Sequence, residues 1–137
     1  MGVFVSMNPF KTFKSCFLNI LSIVKDLKTN GHLKEAFELA KKTADSNDVT
    51  GISQMILGIM YDFGEGTDKN PSLAIKWLKS SLEKITDRDL HLNVLLSLAA
   101  VYEEIKDYKN AQYYAKQCAA LGDKDCTTAL QRLAKIH

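Results

Sequence analysis

Residue types that perform catalysis or bind metals are present in this chain, but their spacing never assembles them. His32, His91 and His137 are the three histidines. None stands four residues from another, the spacing that would turn two imidazoles to one face of a helix around a zinc ion. No serine lies in a strained Gly-x-Ser-x-Gly turn of the kind that exposes a nucleophile. Glu103 and Glu104 are adjacent, so on a helix they point in different directions and do not form a pair for acid and base catalysis. Gly64-Glu65-Gly66 has the look of a phosphate cradle, yet it follows a helical pattern and lacks the Lys-Ser/Thr pair a nucleotide loop needs. Glycine suits that place because a helix often ends in left-handed backbone geometry. The expectation is a protein that is not an enzyme and carries neither metal nor cofactor.

Charge and composition narrow the classes further. Eighteen basic and 16 acidic residues are mixed along 137 positions for a formal net charge of +2. No basic stripe is present, so nucleic acid is not an expected partner. Only two prolines and seven glycines interrupt stretches rich in Leu, Ala, Lys and Glu. These residues lose little rotamer freedom in helices, and the pattern reads as all-α. Near the amino terminus the run Cys16 to Val24 follows Lys11 and Lys14 and has the outline of a secretory signal. It continues into Lys25-Asp26-Leu27-Lys28 without a small-x-small cleavage site. The run is also much shorter than the roughly 20 apolar residues that span a bilayer, so it is expected to be a buried first helix with no membrane role. Met1-Gly2 through Ser6 has the form of a myristoylation signal, a short pattern that chance or a start at Met7 explains equally well, and no lipid is assigned.

An internal repeat gives the architecture. Ala36, Ala74 and Ala111 each begin the body of a similar helix and are separated by 38 and 37 residues, room for two helices and two turns. The helix before each one also recurs, as Leu57-Gly58-Ile59-Met60-Tyr61 and Leu98-Ala99-Ala100-Val101-Tyr102. Its small residue admits a neighbouring helix, while the aromatic four positions after Leu shares that face and fills the space beside it. In the first unit Ile23 to Leu27 is a degenerate version. The predicted fold is an all-α solenoid of αα-hairpins forming a single domain over 1–137. Its units lie at about 12–45, 50–84 and 89–120, and a capping helix lies at 124–136. Asn30-Gly31 predicts a turn, Asn70-Pro71 an N-cap followed by the first helical residue, and Gly122 a stop. One hairpin cannot bury its own apolar stripe, so stability must come from stacking.

The stretch Leu57-Gly58, Tyr61, Gly64-Glu65-Gly66, Ala74 and Trp77 resembles the Sel1-like repeat family, relatives of the tetratricopeptide repeats. From Tyr61 to Ala74 the distance is 13 residues, but from Tyr102 to Ala111 it is nine. The first spacing is similar to the Sel1-like turn with its four extra residues, and the second to a tetratricopeptide turn. Asn30-Gly31 to Ala36 is similar to the latter again. The resemblance covers most of residues 18–122.

It implies a binding protein whose concave face, lined by the first helix of each pair, captures another protein or peptide. Transferred residue by residue, the groove candidates are Leu21, Lys25 and Lys28; then Ile52, Met55, Ile59 and Asp62; then Asn93, Leu96, Ala100 and Glu103. An error of one residue in register rotates the face by about 100°, and any apolar member of this set reads equally as core. Cys118 and Cys126 have the spacing by which disulfide-rich secreted relatives staple consecutive helix pairs. The equivalent position in unit two is Ser81 and Cys16 has no mate, which reads instead as buried thiols in a reducing compartment. Cytoplasmic residence follows from the second reading, and periplasmic or secreted residence from the first. The expected function is that of an adaptor or regulatory binding module. The alternative is a stand-alone inhibitor such as a bacterial immunity protein. Exposed aromatics at the ends of the stack leave a homo-oligomer open.

Overall fold

The computed structural model describes residues 20–136 except Asn47, and all regular structure among them is helical. Helix α1 covers 20–29, and the part of the expected first helix at 12–19 lies outside the described residues. The others are α2 (Leu33–Asp45), α3 (Ile52–Phe63), α4 (Pro71–Leu82), α5 (Arg88–Glu104), α6 (Tyr108–Ala120) and α7 (Lys124–Ala134). Within the hairpins α3 packs on α4 and α5 on α6. Between units α2 meets α3 and α4 meets α5, and α7 closes the stack against α6.

Short polar side chains start these helices. Asn70, Asp87, Asp107 and Asp123 each accept a hydrogen bond from the backbone N–H three residues on, and Pro71 follows Asn70 as the first helical residue. Each such cap satisfies a donor the helix cannot satisfy itself, worth about 1 kcal/mol. Helix α3 starts differently. The buried carboxylate of Asp48 accepts from the backbone N–H groups of Thr50, Gly51 and Ser53, and Lys84 Nζ donates to the Asp48 backbone carbonyl at 3.0 Å, tying the turn before α3 to the segment after α4.

Small residues let the helices close on one another. Ala36, Ala74 and Ala111, the markers of the repeat, are wholly buried, as are Leu57, Leu78 and Leu98. Tyr61 meets Phe37 of the preceding unit edge to face, with centroids 5.4 Å apart, while Tyr102 stacks on Tyr114 within its own unit at 5.7 Å. The same repeat position thus fills a gap between units in one case and within a hairpin in the other. The turn after α3 lies against the start of α2. A Cβ on Gly66 would come within 2.7 Å of the Leu33 carbonyl carbon and 2.8 Å of Phe37 Cβ, and its φ of +72° is left-handed, so only glycine fits there.

Candidate functional site: the face of the first helices

On α5 the predicted groove stripe lies away from the most buried residues, although Leu96 still packs against the core. Val94, Leu95, Leu98, Ala99, Val101 and Tyr102 are buried, while Asn93 and Ala100 are exposed and Leu96 and Glu103 half-buried. These four fall three to four residues apart, so the helical period alone puts them on one stripe. On α1, Lys25 is exposed, and Leu21 and Lys28 are half-buried.

Helix α3 departs from the expectation. Ile52 and Met55 are only 4% exposed and belong to the core, and Asp62 is 5% exposed; of the four residues assigned to the groove here, Ile59 alone is half-open. The physical reason is position in the stack. This helix is buried on nearly every side, its polar Ser53, Gln54 and Asp62 included, and it contacts α2, α4 and α5, so a stripe that faces solvent on α5 faces protein on α3. Ile52 and Met55 are therefore corrected from groove to core.

Ion pairs run along the carboxyl-terminal ends of the first helices. Lys28 of α1 reaches Glu65 after α3 at 2.9 Å, Lys69 before α4 reaches Glu104 of α5 at 2.7 Å, and Glu103 of α5 meets Arg132 of α7. The adjacent glutamates do diverge, one toward unit two and the other toward the closing helix. Asp62 sits among these pairs without joining one, and its buried Oδ1 has no hydrogen-bond partner. Burial, followed by the charge of Glu104, raises its carboxyl above the ordinary aspartate value, with Lys69 opposing. The hydrogen bond to Glu104 raises Lys69 in turn. Sequence reasoning named Asp62 but missed Lys69 and Glu104 as its neighbours. The signal was available in the longer turn after Tyr61, which extends far enough to reach the next unit.

The other candidates do not form a centre. His32 is exposed, 3.6 Å from Glu35, and His91 is half-buried; His137 lies outside the described residues. Among the described residues, Cys118, Asp123 and Cys126 form the one group of metal-capable side chains, their ligand atoms within 4.8 Å of one another. The two sulfurs, however, are in bonding contact with each other across a Cα separation of 5.5 Å, a normal disulfide span, and Asp123 Oδ1 accepts from the Cys126 N–H. Three donors so engaged suit a staple between α6 and α7 better than an ion. Both cysteines are fully buried. Gly64-Glu65-Gly66 is committed to the close approach on α2 and to the pair with Lys28, which leaves no phosphate cradle.

The Sel1 repeat pattern is matched at residues 28–48, 51–84 and 102–123, more than half of the chain. Its longest match covers α3, the long turn and α4 together. No curated protein and no solved structure matches significantly. With hairpins stacked through buried alanines, an aromatic at the end of each complete first helix and the Gly-x-Gly turn seated on the preceding unit, this chain belongs to the Sel1 repeat family.

Proposed function

We propose that this protein is an interaction module that captures a peptide, a helix or a protein surface on the face of its first helices. Sel1 repeats mediate protein–protein interactions and are non-catalytic. The observation that carries the reading is the stripe of α5, where Asn93, Leu96, Ala100 and Glu103 offer an apolar centre between polar ends, away from the most buried residues of that helix. An amphipathic helix or an extended peptide laid across such a stripe buries its apolar side chains on Leu96 and Ala100 and finds polar partners at either end. Lys25 and Ile59 extend the surface toward unit one. Nucleic acid is not an expected partner at a net charge of +2. No helix among the described residues is long and apolar enough to cross a membrane.

Asn93→Arg combined with Ala100→Arg tests the reading, because both positions are exposed and the substitutions leave the core untouched. The double variant is expected to keep its helical circular dichroism and lose the partner captured by the wild-type chain from lysate of the source cells. Capture that survives the double substitution overturns the face as the binding surface. An adaptor and a stand-alone inhibitor, such as a bacterial immunity protein, use this surface differently: only the inhibitor abolishes the activity of its captured partner in a stoichiometric mixture.

A further inference from the structure

We propose that Asp62 receives a lysine or arginine side chain presented by the protein partner, an inference that rests on the face of the first helices being the binding surface. Four carboxylates lie at the carboxyl-terminal ends of α3 and α5. Glu65, Glu103 and Glu104 have Lys28, Arg132 and Lys69 respectively, and Asp62 has no paired cation among the described residues. Its Oδ1 is buried without a donor, although it belongs to a group that ordinarily accepts several hydrogen bonds. An unpartnered buried carboxylate oxygen loses its hydration with nothing in return, a destabilising arrangement for folding.

The surroundings add to the deficit. Asp62 occupies the last turn of α3, where the helix dipole is negative, and that turn contains no basic residue. Glu104 lies close enough to raise the Asp62 carboxyl, while Lys69, the nearby cation, is held by Glu104 at 2.7 Å. The helix end and Glu104 therefore both favour an added positive charge, against the partial opposition of Lys69. One turn back on the same helical face, Ile59 is half-open and offers an apolar surface for the methylene stem of a long cationic side chain whose head reaches Asp62. A divalent metal fits less well, because it requires several oxygen ligands and the other three carboxylates here already hold cations.

The test uses the full-length chain and a displayed library of random dodecapeptides, selected in parallel on the wild type, on Asn93→Arg/Ala100→Arg and on Asp62→Asn. Peptides retained by the wild type are expected to share a Lys or Arg. Their affinity is expected to fall at least about tenfold on Asp62→Asn, or when that residue is replaced by norleucine, the loss appropriate to a charge-assisted hydrogen bond. The Asp62→Asn variant is expected to melt at the same temperature as the wild type or higher. A fall in its melting temperature of more than about 5 °C makes Asp62 a structural carboxylate and overturns the proposal. Peptides that depend on Asn93 and Ala100 but bind Asp62→Asn equally well overturn it while leaving the binding face standing. If no peptides are retained, or those retained are indifferent to both variants, the face and the proposal fail together.

Discussion

Replacing Gly58 with alanine isolates the contact that sets the distance between α3 and α4. A Cβ there would lie 2.7 Å from Leu78 Cγ, 3.0 Å from Leu78 Cδ2 and 3.1 Å from the Leu78 backbone nitrogen. Carbon atoms pack at about 3.5–4.0 Å, so the first two contacts are severe overlaps. Leu78 is wholly buried and cannot swing away into solvent, and the third contact is backbone. Overpacking of this kind costs about 1–3 kcal/mol. The exchange of Gly for Ala inside a helix returns about 1 kcal/mol, so Gly58→Ala should destabilise by about 0–2 kcal/mol net. Leu78→Ala alone leaves a cavity and should cost about 2–5 kcal/mol. With Leu78 shortened, the severe overlaps vanish, and the methyl added at position 58 instead fills part of the cavity. In unit three the repeat already places Ala99 and Ala115 at these two positions. In the Leu78→Ala background Gly58→Ala should therefore stabilise, and the coupling between the two sites should reach about 1–3 kcal/mol. Urea unfolding of the four proteins followed by circular dichroism measures it. Equal effects of Gly58→Ala in both backgrounds, within about 0.5 kcal/mol, would refute the claim that this glycine exists to admit Leu78.

Two further outcomes follow from the site. Reducing the Cys118–Cys126 link should lower the unfolding free energy by about 2–3 kcal/mol, the value for a short closed loop. Urea curves with and without dithiothreitol test this, and Cys118→Ala/Cys126→Ala should not respond to the reductant. Burial and Glu104 hold the Asp62 carboxyl above its unfolded value of 3.8, so between the two values the folded chain binds more protons than the unfolded one. Stability contributed at this site is thus greatest below the unfolded value and falls as pH rises toward the folded one. Measured against the wild type, Asp62→Asn should gain relative stability through that window and level off above it. A difference that stays constant from about pH 3 to about pH 7 would show that Asp62 titrates normally.

The hairpins were legible because their determinants are local and repeated. Asn70-Pro71 starts α4, Gly122 follows the end of α6, and the buried alanines at 36, 74 and 111 fix the period without knowledge of any long-range contact. On α5 the spacing of Asn93, Leu96, Ala100 and Glu103 placed them on one stripe away from the most buried residues, because positions three to four apart share a helical face. On α3 apolar residues fall on every side and even Ser53, Gln54 and Asp62 are buried, so periodicity cannot distinguish a side facing a groove from a side facing a neighbour. Ile52 and Met55 were therefore misassigned, and only the stacking of α2, α4 and α5 around them decides the matter. The ion pairs were hidden differently, because each joins residues at least 29 positions apart. The longer turn after Tyr61 explains why they gather there. Through Gly66 it seats on α2, through Glu65 it binds Lys28 of unit one, and through Lys69 it reaches Glu104 of unit three. The extra residues of that turn thus join three units at one edge. Because Lys69 is spent on the junction, the neighbouring Asp62 is left without a cation of its own, and the arrangement that holds the stack together also creates the one buried carboxylate oxygen without a hydrogen-bond partner among the described residues.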